Sequence, residues 1–364
     1  MSETQFDRLV VKIHEGGMTA LSLGDRCGRA LIVPEMGGRI LAVEADGQDF
    51  LWFNPDLLET PLPRNWNAGG QRTWIAPERG GPDLYFEKDN WHCPPEMDPG
   101  HFRVERLASD EEIRLASEFR TGGPGGEALF RLERAIGLPG ALDPVTGPLS
   151  LTGSRSHSTA FAETGPLKRE KTGPFCLRVE QSVSRKGPGD RVAVGAWSIL
   201  QVPVPGYAAV FLDPQRARRP LFRDDFFNPV PPEWVSGGVL PAVIRLTGDH
   251  QVKLGFPATH FGPVVVVRYM HYARESGVWL EITQRFERPS GGVYADSPGG
   301  EPAPAGDLVQ LYNHFTGDAH AYAEIEAHAP AATRPGDVSK ITLDLAFQWF
   351  QAEGPAGDED FADL

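Results

Sequence analysis

Cysteine is scarce in this 364-residue chain: Cys27, Cys93 and Cys176 stand far apart, with no CxxC pair. An odd number at such spacing argues against a disulfide framework or a cysteine-rich zinc site. Basic charge is also in deficit, 35 Lys+Arg against 49 Asp+Glu, for a formal net charge of −14. That balance disfavours nucleic acid and anionic membranes as partners, because both present phosphate. No run approaches the roughly 18 consecutive apolar residues of a membrane span. The first residues carry Glu3, Asp7, Arg8 and Lys12 where a secretory signal would be apolar. The expected setting is cytoplasmic, with neither a membrane nor a nucleic-acid partner. Missing too are GxxxxGK(S/T), GxGxxG after a strand, HExxH and GxSxG, so nucleotide, zinc-protease and serine-hydrolase chemistry find no support.

Glycine and proline, by contrast, are abundant, 41 and 33 residues. They cut the chain into short segments, which suits strands joined by turns. β-like runs recur at 9–13, 20–23, 30–33, 39–43, 102–107, 113–119, 128–136, 177–184 and 191–202, and continue to 340–350. No amphipathic helix stands out at 3.6-residue spacing. With 40% hydrophobic residues there is enough apolar material for a large core. The pattern predicts an all-β chain of two stacked antiparallel sheets. We expect one domain over 1–350, with a Gly/Pro/Ser/Thr-rich excursion at 137–172 and an acidic tail at 351–364.

Three stretches carry chemistry. From His320 to Ala329 every even position is polar or aromatic and every odd one is Ala or Ile. On a strand, period two puts His320, Tyr322, Glu324, Glu326 and His328 on one face. That face is either simply wet or lines a hollow that presents carboxylates to a polar ligand. A shared metal is not expected: at about 3.3 Å per residue, His320 and His328 stand roughly 26 Å apart. The second stretch, 65–78, places Asn67, Arg72, Trp74 and Glu78 among small residues. Indole faces stack on the C–H face of a pyranose while Arg, Asn and Glu bond its hydroxyls, and the alternative is a glycine turn beside a core Trp. In the third stretch, 193–203, Trp197 reads first as a core ring and second as a cleft wall. Lys253 stands alone between apolar residues, and neither His271 nor His92 is singled out by its neighbours.

The segment Val33-Pro34-Glu35-Met36-Gly37-Gly38-Arg39-Ile40, followed by Phe50-Leu51-Trp52-Phe53-Asn54-Pro55, resembles the N-terminal signature of the galactose mutarotase-like (aldose 1-epimerase) superfamily. The block Gly69–Glu78, the strand Ala196–Ile199, Lys253–Gly255 and Glu324–Pro330 are similar to later blocks of an uncharacterised branch, in the same order. The resemblance implies a large antiparallel β-supersandwich with a carbohydrate site and no cofactor. It carries the general base over to Glu326, with Pro330 following and Glu324 as its same-face neighbour, and carries the sugar-holding arginine over to Arg72. The family's histidines are missing: Ala68 stands where one precedes the Gly-Gly, and 193–198 contains none. Ring opening needs a proton donor as well as a base, so His271, Lys253 or His92 would have to supply it.

The expected catalytic residues are thus Glu326, Glu324 and His271. The expected sugar contacts are Arg72, Trp74, Glu78, Asn67, Trp197, Lys253 and Tyr322. An aldose 1-epimerase-like protein acting on a small carbohydrate as a monomer or homodimer ranks first. A non-catalytic sugar-binding protein on the same scaffold is the alternative, and a glycoside-cleaving enzyme using paired carboxylates ranks third.

Overall fold

In the computed structural model the described residues are 4–59, 66–78, 84–87, 90–107, 111–121, 128–139, 168–169, 173–186, 193–238, 240–297, 303–315, 320–334 and 336–351. The expected excursion and tail lie outside them, apart from 137–139, 168–169 and Gln351.

The expected all-β architecture is what forms: two large antiparallel sheets. The first contains β1 (Leu21–Gly24), β2 (Gly28–Val33), β3 (Arg39–Ala45), β4 (Gln71–Ala76), β5 (Gly195–Val202), β6 (Val252–Pro257), β7 (Asp307–His314) and β8 (Tyr322–His328). Their order across the sheet is β1-β2-β3-β4-β5-β8-β7-β6, with the short strand Gln48–Asp49 beside β3. The second, 11-stranded sheet is centred on the long strands Val264–Ala273, Val278–Glu287, Val338–Gln351, Phe175–Lys186 and Ala128–Gly137. Phe86–Glu87 and Asn90–Trp91 pair as a separate hairpin. One apolar cluster, including Ile325, Leu254, Leu311, Leu343 and Phe347, fills the space between the sheets.

Two expectations fail locally. The run 9–13 is not a strand but part of a helix, α1, over Gln5–Glu15. Phe6, Leu9 and Ile13 are its buried residues, spaced to share one face. Thr4 and Asp7 cap its start reciprocally, a signal that short-range β propensity obscures. Second, β4 and β6 are not among the expected strands, yet they carry Arg72 and Lys253. Every residue of β4 is buried on both faces, so its sequence lacks the polar alternation of a half-wet strand.

The turn into β4 depends on Gly69 and Gly70, at φ +96° and +76°. A Cβ at Gly69 would lie 2.3 Å from Phe53 Cα, and one at Gly70 2.2 Å from Ile40 O. Only glycine fits both the positive φ and the close backbone.

Candidate functional site

Strand register builds the site. Lys253 pairs with Tyr312, Tyr312 with Glu324 and Glu324 with Gln201, giving one row across β6, β7, β8 and β5. The next row runs Gly255, Gln310, Glu326, Ile199 and Arg72, and a third joins Trp74, Trp197 and His328. Period two sends alternate residues of β4 to opposite sides. Gln71 and Thr73 reach toward the second sheet, where Gln71 Nε2 is 3.4 Å from Gln181 Oε1. Arg72 and Trp74 therefore point away from it, into the site.

This outer face is a recess, not a flat wall. It borders a cavity of about 310 Å³. Arg72, Glu324, Glu78 and Lys253 supply its charged walls, and Trp74, Trp197, Tyr312 and Tyr322 most of its rings. Trp66, Trp91 and Phe227 close in from segments outside the large sheets, and Gln251 and His314 complete the lining.

Arg72 is buried and fully engaged at its tip. Its Nη2 donates to Glu324 Oε1 at 3.0 Å and its Nη1 to Trp66 O at 3.1 Å, while its Cζ lies 4.3 Å from the Trp74 ring centroid. Burial alone would lower the guanidinium pKa, but Glu324 and Asp98 outweigh it and hold the charge. Gln201 Nε2 donates to Glu324 Oε1 at 3.0 Å and to Asn67 Oδ1 at 2.9 Å, so Asn67 braces the site from behind. Burial raises the Glu324 carboxyl above its ordinary value, with Arg72 opposing. Asp98 anchors this wall by accepting from Arg39 and, at 2.8 Å, from Trp74 Nε1.

Glu326 occupies a different place. It has no exposed surface and does not line the cavity. Its Oε2 accepts from Trp197 Nε1 at 2.8 Å and lies 3.1 Å from Lys253 Nζ, while Oε1 has no partner. Burial pushes this carboxyl up to about 8, against the pull of Lys253. Lys253 in turn faces the cavity, 3.8 Å from Glu78 Oε2 and 4.6 Å from the Trp197 centroid. Burial works against its charge, but Glu326 and Glu78 raise its pKa overall. His328 stacks on Trp197 at 5.5 Å, and burial drives its pKa well down.

Six expected sugar contacts, Arg72, Trp74, Glu78, Trp197, Lys253 and Tyr322, thus meet around one cavity, with Asn67 bonded just behind it. His271 does not join them. It belongs to the second sheet, where Nδ1 lies 2.8 Å from Pro205 O. His92 is exposed and His320 lies before β8, near Asp56. The sequence reading missed Tyr312, whose hydroxyl is 3.0 Å from His314 Nδ1, and His314, which stacks on Tyr322 at 4.5 Å. Their period-two spacing on β7 with Gln310 was the available signal. It also missed Gln201, Asp98, Trp91, Phe227 and Gln251, most of which reach the site through loops or neighbouring elements. Among the described residues no group of three or more His, Cys, Asp or Glu is arranged to hold a metal, and no helix is long and apolar enough to cross a membrane.

Residues 5–139 match the model of a family of unknown function (DUF6786). No curated protein sequence matches the chain. Among solved structures, the chain is similar to a galactose mutarotase related enzyme from Lactobacillus acidophilus, at 12% identity and a TM-score of 0.49, over 93% of this chain and 100% of that one. An aldose epimerase homologue from C. elegans aligns at 11% identity and a TM-score of 0.40, over 92% and 100%. A galactose 1-epimerase from Lactobacillus acidophilus NCFM aligns at 9% identity and 0.43, over 92% and 95%.

Proposed function

We propose that this protein binds a sugar in the cavity bordered by β4 to β8 and interconverts its anomers as an aldose 1-epimerase does. One observation carries the reading: indole and phenol rings, an arginine, a lysine and a carboxylate from five adjacent strands converge on one cavity of about 310 Å³. Rings take the C–H faces of a pyranose, and the charged groups bond its hydroxyls. Trp74, Trp197, Arg72 and Glu324 form the inner holding surface.

The base is the carboxylate that faces the cavity, Glu324, rather than Glu326 behind it. Its raised pKa favours proton uptake, and Arg72 orients it. It takes the proton of the anomeric hydroxyl while a donor protonates the ring oxygen. The C1–ring oxygen bond then breaks to the open-chain aldehyde, and closure on the other face reverses each transfer. Lys253, kept protonated, and the Tyr312–His314 pair are the donors that face the cavity. A second reading, binding without turnover, is favoured by the Arg72 and Gln201 hydrogen bonds that already occupy Glu324 Oε1.

Anomeric exchange measured by NMR over a panel of aldoses and reducing disaccharides tests both. We expect accelerated interconversion of at least one sugar, lost by about 100-fold or more in Glu324→Gln at saturating ligand. Buffer rates with a ligand-dependent rise in melting temperature would establish the binding protein instead. No response to any saccharide would end the carbohydrate reading.

A further inference from the structure

Among the described residues three large aromatic side chains, Trp91, Phe227 and Phe315, keep 36%, 42% and 51% of their surface exposed. Two of them, Trp91 and Phe227, border the cavity, and they arrive from unrelated parts of the chain. Trp91 stands on the hairpin outside both large sheets, and Phe227 on the loop between Phe211 and Pro232. Leaving such rings in water is unfavourable unless something covers them.

Both rings are held in place. Trp91 Nε1 donates to Glu78 Oε1 at 2.9 Å, and its ring meets Trp66 edge-on at 5.1 Å and 68°. Phe227 rests 5.8 Å from Tyr312. The chemistry is graded with depth. Buried Arg72, Glu324 and Lys253 lie inside, whereas the mouth has aromatic faces with half-buried Gln251 and Glu78 among them. A single polar ring satisfied by the inner groups would leave the mouth rings uncovered.

We propose that the mouth is a second subsite, holding a further sugar ring joined to the one inside, so that the ligand is a reducing disaccharide or longer saccharide. This rests on the saccharide reading above and narrows its substrate class. The reducing ring lies against Arg72 and Glu324. The next ring lies between Trp91 and Phe227, its C–H faces on the aromatics and its hydroxyls toward Gln251 and Glu78. Gln251 Nε2 already donates to Tyr312 Oη at 2.9 Å, which fixes the amide beside the inner row.

Calorimetric titration of the full chain with a monosaccharide, its reducing disaccharide and its nitrophenyl glycoside tests this. The disaccharide should bind about tenfold more tightly than the monosaccharide, the size of one good ring contact. Trp91→Ala and Phe227→Ala should each bring that ratio toward one. The urea midpoint of each variant, measured alongside, separates loss of the ring from loss of the fold, and Trp91→Phe should restore most of the ratio. Equal affinities in the wild type, or a ratio that neither variant changes, overturns the second subsite while leaving the sugar site standing. A gain for the nitrophenyl glycoside alone overturns the assignment to a second sugar. Failure of the monosaccharide and every other saccharide to bind overturns both.

Discussion

Burial displaces the Glu326 carboxyl far enough to tie the stability of the folded chain to pH. With its pKa held at about 8, the native state keeps a proton that the unfolded chain, ionising near 4.5, has released. Its stabilising contribution is complete below about pH 4.5 and is lost as the pH rises to about 8. Asp296, lifted by burial to about 6, acts in the same direction over a lower range. His328 acts oppositely: burial keeps it unprotonated, so it adds stability as the pH rises toward its ordinary 6.5. Lys253, its pKa raised, stays charged throughout this range. Between pH 6.5 and 8 Glu326 is therefore one carboxyl of this cluster still titrating, beside Glu324, which burial also raises. Wild-type stability from urea denaturation should fall there by up to about 1.4 kcal/mol per pH unit. Glu326→Gln, with a neutral amide of the same shape, should flatten that slope. An unchanged slope would mean that the carboxylate is already ionised at neutral pH.

At the scale of elements, α1 offers the cleanest test. Thr4 Oγ1 accepts from Asp7 N at 3.2 Å, and the Asp7 carboxylate reaches back to Thr4 N at 3.4 Å. Thr4→Ala removes the acceptor and should cost about 1 kcal/mol in urea denaturation. Thr4→Asn should recover most of it. The same elements show which features of a sequence can be read directly. β8 was legible because its odd positions pack into the sandwich core and its even positions are polar, so the alternation survives in the sequence. That the polar face is itself covered could not be read there, because the cover comes from Trp66, Trp91 and Phe227, far away along the chain. β4 was visible as a cluster of site residues but not as a strand, since both of its faces carry polar groups satisfied across the molecule. The N-terminal helix was missed because Leu9-Val10-Val11 favours a strand locally, whereas burial of Phe6, Leu9 and Ile13 selects the helix. Neither partner of Glu324 is near it in sequence, and only the strand order β4-β5-β8 brings Arg72 and Gln201 to it.

At the scale of the whole molecule, the two sheets are joined by apolar packing and also by a buried polar bridge under the site. Arg134, on the second sheet, donates to Gly38 O at 2.8 Å and to the side-chain oxygen of Gln71 on β4. Gln71 Nε2 donates to Ser198 Oγ at 2.9 Å, and Thr73 donates to Gln181 across the gap. Burial pushes the Arg134 pKa down to about 9, with Arg39 adding to the push and Asp98 opposing it. Such a network is costly to half-remove, because each lost partner leaves a buried polar group without water. Gln71→Leu and Arg134→Leu should each destabilise the protein by about 1–3 kcal/mol in urea denaturation. The double variant should cost clearly less than the sum, since neither residue then leaves the other stranded. Because Gln71 and Arg72 are consecutive on β4 and face opposite ways, loosening this bridge should also disturb the Arg72–Glu324 contact. Affinity for the proposed sugar ligand should therefore fall in Gln71→Leu even though Gln71 does not line the cavity. Strict additivity of the two substitutions would show instead that Gln71 and Arg134 contribute independently and form no coupled bridge.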